Sequence, residues 1–279
     1  MSSPRSLYLQ IGENELHVTE WGDPGAPALI MWHGLARTGR DFDTLAAHLA
    51  DRYRIICPDT LGRGLSGWSK QPEQDYTLAA YMGHAVLMLD ALGIGRCDWI
   101  GTSMGGALGM LLAAGPLKER LGKLVMSDVG PKLAPEAVER IRAYVTAMPD
   151  FATLREFEAF LRLVYAPFGC LTDAEWRLMA ETSARRRDDG RITSHYDPEV
   201  MRIFASHTGD YDLWPVYDAL SCPTLVLRGE TSDLLTPEVA DEMTRRGPKA
   251  RLVTVAGCGH APPMNTPDQI TVVEAFLRA

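Results

Sequence analysis

Gly101-Thr102-Ser103-Met104-Gly105 has the spacing Gly-x-Ser-x-Gly, with the apolar run Asp98-Trp99-Ile100 leading into it and a helix-forming run over 107–114 leading out. A strand that turns sharply into a helix holds a serine at the apex of the turn, with its hydroxyl clear of its neighbours. The turn drives that serine toward positive φ and brings strand and helix so close that only glycine fits on either side. Gly101 and Gly105 meet that demand. The Met104 N–H, at the start of the helix, then points toward any anion formed on a substrate. A serine hydroxyl is a weak nucleophile at neutral pH, so the same site needs a histidine base and a carboxylate behind it.

Of seven histidines, His260 is the expected base. It follows a predicted strand at 251–255, in the small-residue loop Ala256-Gly257-Cys258-Gly259 that can bring backbone close to the serine turn. His17, His48 and His84 fall within a predicted strand or helices and read as packing or surface groups. His195 and His207 belong to a strandless segment and read as solvent-facing. The expected acid is Asp233, in the loop Gly229-Glu230-Thr231-Ser232-Asp233 after a strand over 225–228. Asp128, after a strand over 124–126, is the alternative acid, and Glu230 is a weaker candidate. Ligand sites of parallel sheets lie at the carboxyl ends of the strands, where Ser103, His260, Asp233 and Asp128 all fall. The chain order serine, acid, histidine, with the acid on a late strand, favours Asp233.

These groups need elements to position them. Leu7, Leu9 and Ile11, then Leu16 and Val18, alternate about Gly12-Glu13-Asn14-Glu15 and predict a β-hairpin. Ala28-Leu29-Ile30-Met31-Trp32 reads as a strand covered on both faces and ends at His33-Gly34-Leu35. Phe42, Leu45 and Leu49 predict a helix, Tyr53-Arg54-Ile55-Ile56-Cys57 a strand, and the glycine-rich stretch 59–67 a loop. Leu78, Met82, Ala85, Leu89 and Leu92 form a helical stripe stopped at Gly93. Thr236-Pro237 opens a late helix, and Thr266-Pro267-Asp268-Gln269 reads as a capping box over the stripe Ile270, Val273 and Leu277. Strand and helix thus alternate, which predicts an α/β fold with a mostly parallel sheet and helices on both faces. Over 134–215 the alternation stops. Phe151, Leu154, Phe157, Phe160, Leu161, Val164, Tyr165, Trp176 and Met179 keep helical spacing with no convincing strand. That segment reads as a helical cap inserted into a core made of 1–133 and 216–279.

The apolar fraction is 46% and charged residues are 23%, an ordinary globular balance in which a disordered chain is not expected. With 28 basic and 36 acidic residues the net charge is −8, and the longest basic run, Arg185-Arg186-Arg187, is followed by Asp188-Asp189. Nucleic acid and anionic membranes would be repelled. Cys57, Cys97, Cys170, Cys222 and Cys258 are odd in number and lack Cys-x-x-Cys spacing, which suggests neither a disulfide framework nor a zinc site. Met1-Ser2-Ser3-Pro4-Arg5 leads straight into an alternating strand, and no apolar run reaches 18 residues, so a cytoplasmic location is expected.

His33-Gly34, the loop 59–66, the stretch 101–106, the loop 229–233 and Gly259-His260 together resemble the α/β-hydrolase-fold enzymes over essentially the full chain. The resemblance implies an eight-stranded sheet with its second strand antiparallel and a helical cap after the sixth. It implies that the Leu35 N–H joins that of Met104 in an oxyanion hole and that His33 is structural. Serine at 103 argues against haloalkane dehalogenase or epoxide hydrolase chemistry, and the lipase-type His-Gly-Gly-Gly is absent because Leu35 follows Gly34. The expected reaction is acyl transfer from small or medium carboxylic esters to water, with Ser103, His260 and Asp233 as triad and no metal or organic cofactor. A lactonase, a carbon–carbon bond hydrolase or a cofactor-free perhydrolase would use the same triad. A non-catalytic ligand receptor is disfavoured by the presence of all three groups.

Overall fold

In the computed structural model, residues 3–145, 149–169, 171–206 and 211–279 are described; Cys170 and His207 lie outside them. The strands in chain order are β1 (Arg5–Ile11), β2 (Asn14–Trp21), β3 (Ala28–Trp32), β4 (Arg54–Pro58), β5 (Cys97–Thr102), β6 (Leu121–Ser127), β7 (Ala184–Arg186), β8 (Ile192–Ser194), β9 (Thr224–Gly229) and β10 (Arg251–Val255). Eight of them form one sheet in the order β1-β2-β4-β3-β5-β6-β9-β10. β2 runs antiparallel to both β1 and β4, and every other pair in the sheet is parallel. The predicted hairpin is present, with Ile11 opposite Asn14 and Gly12 at φ 61° in the turn, a region that favours glycine.

Parallel neighbours need crossover connections, and helices supply them. They are α1 (Asp43–Leu49), α2 (Pro72–Asp75), α3 (Leu78–Ala91), α4 (Met104–Ala114), α5 (Pro135–Val145), α6 (Leu154–Val164), α7 (Asp173–Ser183), α8 (Pro198–Ser206), α9 (Trp214–Asp218), α10 (Pro237–Met243) and α11 (Pro267–Arg278). Because successive strand side chains point to opposite faces, each central strand feeds two cores. Ile30, Trp32, Trp99, Leu124, Met126 and Val226 pack with α3, α4, α9 and α10. Leu29, Met31, Ile100, Val125, Leu225 and Leu227 pack with α1 and α11 on the other face. Continuous apolar runs in β3, β6 and β9 follow directly from this double coverage.

Local details depart from the sequence expectations in three places. The Thr266 side chain makes no cap hydrogen bond; Gln269 turns instead to accept from the Met264 N–H at 2.6 Å, and Pro267 starts the helix without a cap. Along α3 the buried face centres on Tyr81, Ala85, Met88 and Leu89, so Leu78, Met82 and Leu92 lie at its margin. Between β6 and β9 the chain is mostly helical, but β7 and β8 form a two-stranded hairpin there. These strands are three residues each, too short for an alternating pattern to show in the sequence. This segment has an apolar cluster of its own, built on Phe157, Leu161, Tyr165, Trp176, Ala180 and Ile192.

Candidate active site

β5 and β6 lie side by side in parallel with Thr102 opposite Ser127, so the next residue of each strand reaches the same sheet edge. Those residues are Ser103 and Asp128. Both hold positive φ, 51° and 53°, which non-glycine residues adopt only where the surroundings compel it. The glycines of the serine turn are compelled as well. A Cβ on Gly101 would stand 2.1 Å from the Gly105 carbonyl oxygen, and one on Gly105 would stand 2.0 Å from that of Trp32. Met104 opens α4, so its N–H is among those a helix leaves without an internal partner.

His260 bridges the two strand ends. Its Nε2 lies 3.0 Å from the Ser103 hydroxyl oxygen and its Nδ1 lies 2.7 Å from Asp128 Oδ2. The Asp128 carboxylate is fully buried. Besides His260 it accepts from the Gly229 N–H at 2.9 Å and the Ser232 hydroxyl at 2.5 Å. With an Nδ1–H donated to the carboxylate, Nε2 is left as the acceptor that faces the serine.

Asp233, the acid favoured by chain position, stands elsewhere. Its side chain is half exposed and paired with Arg140 of α5 through two hydrogen bonds of 2.9 Å. The reason lies in reach and strand order. β6 is the immediate neighbour of β5, and Asp128 is the first residue past its end; Asp233 is four residues past β9, one strand further out. Ser232, which sequence reasoning passed over, is the member of that loop that touches the site. Glu230 accepts from the Gly257 N–H at 3.0 Å at the surface.

The remaining described histidines have other partners. His33 is buried, and burial pushes its imidazole down to about 4. Its Nδ1 donates to the Gly34 carbonyl at 2.7 Å and its Nε2 accepts from the Thr60 N–H at 2.9 Å, which ties the end of β3 to the loop over 59–66. His17 bonds Asp59 at 2.8 Å beneath the same loop. Burial works against the Asp59 carboxylate, but donors from His17 and the Leu65 N–H outweigh it and hold the group below its usual range. His48 pairs with Glu274 at the surface, and His84 is buried on α3. His195 is half-buried rather than solvent-facing, with its carbonyl accepting from the Gly64 N–H.

A cavity of about 930 Å³ opens over Ser103 and His260. Leu35 and Met104 border it from the sheet edge, while Val138, Ile141, Tyr165, Phe168, Val200 and Phe204 border it from the segment between β6 and β9. Among the described residues no group of His, Cys, Asp and Glu side chains is placed to hold a metal ion, and no helix is long and apolar enough to cross a membrane.

The chain is 40% identical to the 3-hydroxybutyrate-oligomer hydrolase of Cupriavidus necator over 99% of this chain and 98% of that one. It is 28% identical to the 2-(acetamidomethylene)succinate hydrolase of Mesorhizobium japonicum, over 91% of this chain and 88% of the relative. The crystal structure of an alpha/beta hydrolase from Novosphingobium aromaticivorans superposes with a TM-score of 0.90 at 35% identity, covering 100% of this chain and 99% of that one. Residues 29–272 match the alpha/beta hydrolase family. An eight-stranded sheet with its second strand reversed, a serine at a strained strand-to-helix turn and full-length kinship with named hydrolases lead to one assignment: the chain belongs to the alpha/beta hydrolase family and is a carboxylesterase-like hydrolase.

Proposed function

We propose that the protein hydrolyses small to medium carboxylic esters through an acyl-enzyme on Ser103, with His260 as general base and Asp128 as the acid that orients it. The observation that carries this reading is the continuous hydrogen-bonded chain Ser103–His260–Asp128 beneath the cavity. His260 takes the Ser103 proton as the serine oxygen attacks the ester carbonyl, and the resulting imidazolium is stabilised by the buried Asp128 carboxylate. The N–H groups of Leu35 and Met104 hold the oxyanion, the alcohol leaves with the proton from His260, and an acyl-serine remains. Water deprotonated by His260 then releases the acid. Three donors hold the Asp128 carboxylate in place against His260, which supports it over Asp233, whose charge is already matched by Arg140. No step requires a metal or an organic cofactor.

Residues 134–215 act in this reading as a cap over the 1–133 and 216–279 core, supported by their separate apolar cluster and by the cavity wall they supply. Kinship with a 3-hydroxybutyrate-oligomer hydrolase makes soluble oligoesters of short hydroxyacids the first natural substrates to assay, beside p-nitrophenyl esters. Ser103→Ala should leave a folded protein with kcat reduced by roughly 10,000-fold or more. A fluorophosphonate should attach covalently to wild type at Ser103, located by peptide mass spectrometry. Labelling that persists in Ser103→Ala would overturn the assignment.

A further inference from the structure

Four arginines and two aspartates border the cavity, an excess of positive charge in a chain whose net charge is −8. Three of the arginines are matched by carboxylates: Arg37 by Asp41, Arg140 by Asp233 and Arg142 by Glu139. Arg63 is different. Its side chain is 1% exposed, and among the described residues no carboxylate lies within ion-pair distance of it. Nε donates to the Leu35 carbonyl at 3.0 Å, and Nη1 donates to the Leu61 carbonyl at 2.8 Å and the Tyr81 hydroxyl at 2.5 Å. Among the described residues the hydrogen-bond acceptor at the Nη2 edge is the Met104 thioether, at 3.8 Å, and the guanidinium carbon lies 4.9 Å from the centre of the Tyr81 ring.

A thioether is a weak acceptor, so two N–H groups of a buried cation are left without an oxygen. Burying a guanidinium without an anion is unfavourable, and the three oxygens on its other edge offset that only in part. The contacts also locate the charge. Leu35 and Met104 are the two residues whose N–H groups face the ester carbonyl in the proposed function, and Arg63, which touches both residues, lines the same cavity as Ser103. A second group lining the same cavity is incomplete. The Tyr211 hydroxyl is buried with no hydrogen-bond partner among the described residues, and burial pushes its phenol up, so it remains a donor.

We propose that Arg63, assisted by Tyr211, anchors a free carboxylate on the substrate, so that the site selects monoanionic esters, such as hydroxyacid oligomers with a free carboxyl end or half-esters of dicarboxylic acids, over neutral esters of equal length. This rests on the ester-hydrolase reading and names its substrate class. With Nε and Nη1 already bonded to oxygens, Nη2 alone is left to meet the carboxylate, in a charge-assisted hydrogen bond from a guanidinium held in place by its other three contacts.

The test compares mono-p-nitrophenyl esters of glutaric, adipic and suberic acids, each beside its methyl ester, by release of p-nitrophenol. Wild type should favour the free acid in kcat/KM by roughly 10- to 100-fold at one or more lengths, the range expected for a charge-assisted pair in a buried site. Arg63→Gln should bring that ratio close to one, Arg63→Lys should keep part of it, and Tyr211→Phe should lower it with the effect mainly in KM. Taking the ratio separates anchoring from support of the Leu35 loop, since loss of support lowers both members of a pair alike. Wild type showing no preference for any free acid, or a preference that Arg63→Gln leaves intact, would overturn the anchor. Ser103-dependent cleavage of the methyl esters would in that case keep the ester reading standing. Absence of Ser103-dependent release from every member would overturn both.

Discussion

Asp128 and Asp233 differ by one property that matters to catalysis, the group each carboxylate faces. Asp128→Asn removes the acceptor that holds His260 with its proton on Nδ1, so kcat for p-nitrophenyl butyrate should fall by about 10,000-fold in a protein that still folds. Asp233→Asn breaks a half-exposed ion pair worth about 0–1 kcal/mol, and kcat should change by less than about threefold. A larger loss in Asp233→Asn than in Asp128→Asn would reverse the two roles. His33 gives a pH signature of a different kind. Its folded value of about 4 lies below the ordinary 6.5, so below pH 6.5 the unfolded chain takes up a proton that the folded chain refuses. Stability from this group is complete above about pH 6.5 and falls as the pH drops toward 4, by about 3 kcal/mol in all. Urea midpoints should therefore decline more steeply between pH 7 and 4 in wild type than in His33→Asn, which is less stable at pH 7 but lacks the titrating group.

At the scale of the element, the serine turn and α3 make opposite predictions for the same substitution. Gly105→Ala places a methyl group 2.0 Å from the Trp32 carbonyl oxygen, backbone that cannot give way, and should destabilise by more than about 3 kcal/mol or prevent folding. Gly83 lies on the exposed side of α3 with open space where its Cβ would be, so Gly83→Ala should stabilise by about 0.5–1 kcal/mol. Thermal melts of the two variants against wild type check both. A destabilised Gly83→Ala would mean that this helix face is covered in solution. Whether an element was legible in the sequence depended on how local its cause is. The cap of α10 was readable because Thr236 and Pro237 act within one turn. That of α11 was not, because Gln269 bonds backward to Met264 in the loop carrying the chain away from His260.

For the whole molecule, the cavity is bounded on one side by the sheet edge and on the other by the aromatic and aliphatic side chains between β6 and β9. A pocket walled in this way gains apolar contact with each added methylene until the chain meets the far wall, and each methylene is worth about 1–3 kcal/mol. Across p-nitrophenyl esters from acetate to palmitate, kcat/KM should rise over a few carbons and then fall. Activity undiminished at palmitate would mean that the segment 134–215 stands aside from an open cleft.

Ser103 and its turn were legible in the sequence, because the strain at Ser103 and the close approach of Gly101 to Gly105 are settled within five positions, while the approach of Gly105 to Trp32 comes with the sheet. The layered sheet was legible for the same kind of reason: a strand buried on both faces is apolar along its length, as β3 is and as β9 is over 225–227. His260 was legible because its loop of small residues follows the last strand. The acid was not. Both aspartates follow strands and both precede the histidine, and only the order β5-β6-β9, with Thr102 beside Ser127, decides which carboxylate meets the imidazole. Arg63 was hidden for a similar reason. Its type is written in the glycine-rich loop, but the absence of a carboxylate beside it among the described residues is a property of what folding brings near, and residues distant in the chain decide that only when they pack.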